Sequence, residues 1–286
     1  MRFGLVANLQ REGTKQAVSD FLDWSKQSGT EIFLWDGLKE IAPGQSYCSF
    51  EKLSEKCDVL VSMGGDGTLI HSARAVGDRK TKLLGVNVGS LGFLTLITPQ
   101  SMIPCLDRIV KGDYSVEERM ALTVNIERTG ETFNALNEAV VDNGPIGRMI
   151  DIRLQVNGED IVNYRCDGLI IATPTGSTAY SLASGGPILH PTMEAIIASP
   201  ISAFSLTTRP MIFRADDALV LKVRSQHKVA SLTVDGQVMR ELLDGDVVSI
   251  RRADFAYQFI SFEENSFYRV CRSKLHWGVL PSGDSD

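Results

Sequence analysis

Val59-Leu60-Val61-Ser62-Met63-Gly64-Gly65-Asp66-Gly67-Thr68-Leu69-Ile70 is the stretch that decides the fold. Val59 to Val61 is an apolar run of strand length. Glycines 64, 65 and 67 break it, and Leu69, Ile70, Ala73 and Val76 then recur at helical spacing. A strand that turns through glycines into a helix is a unit of a parallel sheet with helices on its faces. The same alternation runs outward towards the N-terminus. Phe3 to Ala7 reads as a buried strand, Val18, Phe21 and Leu22 as a helix, and Ile32 to Trp35 as a strand. Leu83 to Val88 continues it on the other side. Residues 1–115 are therefore expected to form a Rossmann-like α/β domain.

Beyond about residue 112 the helix signal nearly disappears. Ile150, Ile152, Leu154 and Val156 alternate with polar residues, the period of a strand with one buried face. Leu219, Leu221 and Val223 do the same. Further β-rich runs at Leu122 to Ile126, Leu169 to Ala172, Leu232 to Val234 and Val247 to Ile250 are separated by Asn-Gly and Asp-Gly turn signals. Residues 116–256 are expected to form a mostly antiparallel, β-sandwich-like domain of two packed sheets.

The chain of 286 residues has room for two domains of ordinary size. Its net charge of −6 argues against a nucleic-acid binder, which needs a basic footprint. An anionic substrate must then be held by local donors. No apolar run approaches the roughly 20 residues that span a bilayer, and Met1 to Asn8 turns polar too soon for a signal peptide. The five cysteines are scattered, as reduced thiols of a cytoplasmic protein are, and the four histidines form no ligand pattern. No dedicated metal centre is expected.

Four segments carry chemistry. In the first, Gly64, Gly65, Gly67 and Thr68 let backbone N–H groups approach a phosphate at a helix N-terminus. The carboxylate of Asp66 in such a loop is repulsive unless it accepts a proton from an attacking hydroxyl or holds Mg²⁺. An ordinary tight turn is the plainer reading. A Walker lysine and the Gly-x-Gly-x-x-Gly fingerprint are both absent. In the second, Gly89 to Thr95, Phe93 is either one wall of a cleft or a core residue. In the third, Asn137 and Glu138 pair an amide with a carboxylate, suited to two ribose hydroxyls, although the two residues alone favour a solvated strand end. The fourth, Arg165 to Pro187, is dense in small hydroxyl residues and glycine. Small side chains there let the backbone reach a planar base, with Tyr180 to stack on it.

In their order along the chain, these segments and Asp235-Gly236-Gln237 resemble the NAD kinase family. The Gly-Gly-Asp-Gly-Thr loop alone is shared with lipid kinases and, more remotely, phosphofructokinases. A lipid kinase would need an apolar or membrane-facing surface that the sequence does not offer. A non-catalytic dinucleotide sensor would have no need of Asp66. The resemblance implies NAD and ATP as substrates, Mg²⁺ or another divalent cation arriving with ATP, no nucleic acid or membrane partner, and a cytoplasmic homodimer or homotetramer. It also implies a C-terminal segment, 257–286, that returns to the first domain.

Carried over residue by residue, the resemblance makes Asp66 the proton acceptor for the ribose 2′-hydroxyl and lays Gly67 against the dinucleotide. Asn137 and Glu138 would hold ribose hydroxyls. Thr178, Ala179, Tyr180, Ser181, Leu182 and Ala183 would border the adenine, and Asp167 would reach the nicotinamide half. Arg148, Arg165 and Gln237 match further contact positions, and a basic residue at 165 is the form that accepts NAD rather than NADH. The sequence departs from its relatives at Leu182-Ala183-Ser184 and at Arg148, where others carry histidine.

Overall fold

The computed structural model describes residues 1–89, 92–144, 147–226, 229–264 and 266–276. Contacts divide the chain into two units: Met1–Glu117 with the residues from Gln258 onward, and Glu118–Tyr257.

The first unit runs β1 (Arg2–Ala7), α1 (Thr14–Ser28), β2 (Glu31–Trp35), β3 (Tyr47–Cys48), α2 (Phe50–Lys56), β4 (Val59–Gly64), α3 (Asp66–Val76), β5 (Lys82–Asn87) and α4 (Pro99–Val110). Its strands lie in the order β3-β2-β1-β4-β5, each parallel to its neighbour. The chain builds outward from β1 through β2 and β3, then crosses back to lay β4 on the other side of β1. The direction of growth therefore reverses between β1 and β4.

Strand parity sorts the helices onto two faces. Phe3 and Leu5 of β1, Val61 and Met63 of β4 and Leu84 and Val86 of β5 pack with Val18 and Phe21 of α1 and Leu106 and Ile109 of α4. The alternate positions face the other way. Gly4 meets Leu53 of α2, Gly85 meets Leu69 of α3, and Ser62 Oγ accepts from Ser72 Oγ of α3 at 3.0 Å. α4 starts with a capping box between Thr98 and Ser101 followed by Pro99. It is tied to α1 by the Trp24 Nε1–H donated to Asp107 Oδ1 at 2.7 Å. The sequence reading did not anticipate β3 or α2, so Val59 to Val61 opens the fourth strand of this sheet rather than the third.

The second unit takes up most of β6 (Ser115–Ile126), then β7 (Thr132–Ala135), β8 (Glu138–Asp142), β9 (Ile150–Val156), β10 (Glu159–Cys166), β11 (Gly168–Ala172), α5 (Tyr180–Ala183), β12 (Ala195–Ile201), β13 (Met211–Arg214), β14 (Leu219–Arg224), β15 (Val229–Val234) and β16 (Val238–Leu243). It ends within β17 (Val247–Ser261). One sheet has the order β10-β9-β14-β17, with β6 and β7 continuing from β17; the other is β13-β12-β11-β8-β15-β16, antiparallel throughout.

Ile152 and Leu154 of β9 and Leu221 and Val223 of β14 meet Val141, Leu169, Ile171 and Leu232 from the second sheet in one core. β11 is buried on both faces, because Ile170 and Ala172 pack outward against Val140, Ile197 and Leu189. Burial on both sides is why Leu169 to Ala172 reads as an unbroken apolar run.

The last residues of β17 belong to the first unit, where Phe259 pairs with Leu83 in parallel. α6 (Phe267–Leu275) follows there. The fold is thus an α/β unit with a mostly antiparallel β unit of two packed sheets.

Candidate active site

β4 ends at Gly64 and α3 begins at Asp66, with the extended Gly65 between them. Thr68 N and Leu69 N both bond to Gly65 O, which closes the first turn of the helix. Asp66 is held by the segment that follows β5. Its Oδ2 accepts Phe93 N–H at 2.7 Å, and its Oδ1 accepts Leu94 N–H, Thr95 N–H and the Thr95 hydroxyl at 3.2, 2.9 and 2.8 Å. Asn87 Nδ2 in turn donates to Thr95 Oγ at 2.9 Å. With one bond made at Oδ2, a lone pair remains there for a hydroxyl. Gly92 is required by this arrangement, since a Cβ on it would overlap Asp66 Oδ1.

Phe93 is half-buried, with Lys274 Nζ of α6 lying 5.0 Å from its ring centroid. Ser90 and Leu91 of the same segment lie outside the described residues. Sequence reasoning missed Arg11. Its Nη1 donates to Val88 O at 3.2 Å, and its guanidinium lies against the backbone of Gly65 and Gly89.

The second unit gathers three of the sequence segments around one carboxylate. Asp235 and Gly236 both have positive φ, 51° and 64°, and Gln237 N bonds back to Val234 O. This is the tight turn that Asp-Gly favours between β15 and β16. The Asp235 carboxylate accepts the N–H groups of Leu136, Asn137 and Glu138 at 2.9, 2.7 and 3.1 Å. Thr173 closes the other side, donating N–H to Asn137 O and its hydroxyl to Leu136 O. Gly176 fits against Asn137 O, where any Cβ would clash.

Asn137 and Glu138 are thereby buried. Asn137 Oδ1 and Glu138 Oε2 have no hydrogen-bond partner among the described residues. Burial, and then the charge of Asp235, pushes the Glu138 carboxyl up to about 8. Buried oxygens left without donors are rare and call for an explanation.

The hydroxyl-rich segment coils from Gly176 to Thr178 and forms α5. Ala179 N bonds to Gly176 O, and Thr178 Oγ donates to Thr175 O. Ser181 is buried with its Oγ 3.0 Å from Ser199 Oγ, so its hydroxyl serves the fold. Leu182 is partly exposed and Ala183 exposed.

Tyr180 and Asp167 line a cavity of about 670 Å³ together with Asp142, Asn143 and Ser231. Asn143 Nδ2 donates to Asp167 Oδ1 at 3.3 Å. Arg148, Arg165 and Gln237 are exposed and are not among the residues lining it. Asp142, Asn143 and the organising role of Asp235 had no signal in the local sequence.

Two family models cover the chain. Residues 3–114 match the ATP-NAD kinase N-terminal domain, and residues 136–262 match the ATP-NAD kinase C-terminal domain. The chain belongs to the NAD kinase family.

Curated relatives agree along almost the whole length. An NAD kinase of Citrifermentans bemidjiense is 43% identical over 285 residues, 97% of this chain and 99% of that protein. One from Geobacter sulfurreducens is 38% identical over 280 residues, again 97% and 99%. Among solved structures, an NAD kinase from Archaeoglobus fulgidus in complex with ATP is 27% identical with a TM-score of 0.79, covering 96% of this chain and 99% of that one. Yeast NADH kinase complexed with NADH superimposes with a TM-score of 0.90 at 22% identity, over 98% and 89% of the two chains, a likeness of fold.

Proposed function

We propose that the chain transfers the γ-phosphoryl group of ATP to the 2′-hydroxyl of the adenosine ribose of NAD, releasing NADP and ADP. The observation that carries this reading is the pair of buried oxygens at Asn137 and Glu138 without partners among the described residues. The hydroxyls of a ribose supply donors for such oxygens, and a protonated Glu138 adds a donor of its own.

Gly64, Gly65, Gly67 and Thr68 hold the ATP phosphates at the start of α3. Asp66, fixed by Phe93 to Thr95, uses the remaining lone pair of Oδ2 to take the 2′-hydroxyl proton. The bond from the 2′-oxygen to the γ-phosphorus forms as the bond to the β–γ bridging oxygen breaks, and ADP carries that electron pair away. The transition state is loose, so positioning and charge neutralisation supply most of the acceleration. Mg²⁺ enters as MgATP, held mainly by phosphate oxygens and water. The Archaeoglobus relative was crystallised with ATP, which supports ATP as donor.

By resemblance, Thr178 to Ala183 border the adenine, Asp167 faces the nicotinamide half, and Arg148, Arg165 and Gln237 make further contacts. No described helix is long and apolar enough to cross a membrane. The family reading adds a homodimer or homotetramer working in the cytoplasm.

The test is purified protein with MgATP and NAD, scored for NADP and ADP in equal amounts. Binding of NAD without any NADP formed would replace the kinase with a dinucleotide sensor.

A further inference from the structure

The helix α6 carries a charge where its pattern calls for an apolar residue. Val270 and Cys271 are buried and Phe267 is half-buried, so the face that packs on the first unit runs through 267, 270 and 271. Position 274, three and four residues further on, is the next place on that stripe. Lys274 stands there. The residue stays exposed, and its Nζ lies 5.0 Å from the centroid of the Phe93 ring. A lysine in the last turn also suits the helix dipole, but that role needs no particular neighbour.

The ring it meets belongs to the cradle of Asp66. Among the described residues, Asp66 Oδ1 is held by three donors, from Leu94 and Thr95. Oδ2 is held by one, the Phe93 N–H at 2.7 Å. Oδ2 is the oxygen left with a lone pair for the attacking hydroxyl, so its aim depends on where the Phe93 backbone lies. Phe93 and Leu94 lie in no helix or strand and are half-exposed. The chain returns to this place through β17, whose Phe259 pairs with Leu83 of β5, the strand that leads into the Phe93 segment. Phe93, Asp66 and α6 all belong to the first unit.

We propose that Lys274 is a positioning residue for phosphoryl transfer: its ammonium, held over the Phe93 ring, fixes the backbone N–H that aims Asp66 Oδ2. This rests on the kinase reading above, with Asp66 as proton acceptor. Arginine can take its place, because a guanidinium also sits on an aromatic face. Methionine keeps an unbranched stem and loses the charge.

The test uses the full chain and two kinds of measurement. Single-turnover and steady-state formation of NADP are compared in wild type, Lys274→Met, Lys274→Arg and Phe93→Leu. Lys274→Met is also added to Phe93→Leu and to Asp66→Asn, and every variant is checked for an unchanged melting temperature. An exposed cation–π contact is worth up to about fivefold, so kcat is expected to fall about fivefold in Lys274→Met with KM for NAD within about twofold. Lys274→Arg recovers most of the loss. Lys274→Met lowers the rate no further in Phe93→Leu or Asp66→Asn, since the link is already cut. Hydrogen exchange reads the same contact without turnover: the Phe93 to Thr95 amides exchange about fivefold faster in Lys274→Met than in wild type or Lys274→Arg.

A kcat in Lys274→Met equal to that of wild type overturns the proposal, and so does an equal loss in Lys274→Arg. A loss of the same size in the Asp66→Asn background overturns it too, because the charge would then act other than through Asp66. Faster exchange at these amides in Lys274→Met, in a protein that makes no NADP, would support the contact while contradicting the kinase reading.

Discussion

Gly92 and Asp66 are matched to each other: a Cβ on Gly92 would overlap Asp66 Oδ1, and the backbone that Gly92 admits carries the three N–H groups that hold the carboxylate. Gly92→Ala is therefore expected to move Asp66 without removing it. A displacement on the order of 1 Å in a positioned catalytic group costs about 100-fold in rate. Steady-state kinetics should report a fall of that size in kcat with little change in KM for NAD. A kcat within twofold of wild type would mean that Asp66 does not depend on this cradle.

Asp235 holds the backbone N–H groups of Leu136, Asn137 and Glu138. Replacing it with Ala leaves buried N–H groups unpaired, and hydrogen bonds to a charged acceptor are worth roughly 1.5–3 kcal/mol each. Asp235→Ala is expected to lower the melting temperature by several degrees and to raise KM for NAD. Asp235→Asn, which keeps an acceptor oxygen, should recover part of both. Equal losses in the two variants would contradict a role through these bonds.

Much of this was legible along the chain, and the remainder has identifiable causes. β9 declares itself because only one of its faces is buried, so Ile150, Ile152, Leu154 and Val156 alternate cleanly. The glycine loop does so because three glycines in four positions separate an apolar run from a helical one. α2 does not, because Leu53 is its one buried apolar side chain. β17 extends from Val247 to Ser261, far past its apolar run, since Arg251, Arg252 and Asp254 take solvent and ion pairs while remaining extended. Asp235 reaches amides 97 to 99 positions away, and Arg11 rests on glycines at 65 and 89. Contacts of that reach leave no pattern in a local window. Asn137 and Glu138 could be noticed as a pair, but that two of their oxygens are buried without partners among the described residues is visible only in three dimensions.

Glu138 gives the folded protein a pH dependence of definite sign. Its carboxyl, ordinarily near 4.5, is pushed up to about 8 because burial disfavours the charge. The folded state thus binds this proton more tightly than the unfolded chain. The associated stability is fully present below about pH 4.5 and is lost as pH rises through 8. Glu138→Gln removes the dependence. Its melting temperature should approach that of wild type at pH 5 and exceed it by several degrees at pH 8.5. A difference that stays constant across this range would show that Glu138 ionises normally.

Arg165 lies exposed on β10, opposite Asp151. If a basic residue here favours NAD, then Arg165→Gly should shift the ratio of kcat/KM for NAD and NADH towards NADH. An unchanged ratio would remove Arg165 from substrate selection.

The proposed role of Asp66 is to take the proton from the attacking hydroxyl. Single-turnover formation of NADP from MgATP and saturating NAD, in wild type and Asp66→Asn, measures that step. Asp66→Asn is predicted to bind NAD as wild type does and to form NADP about 100- to 10,000-fold more slowly, the usual worth of a positioned general base. An Asp66→Asn enzyme that forms NADP at close to the wild-type rate would contradict it.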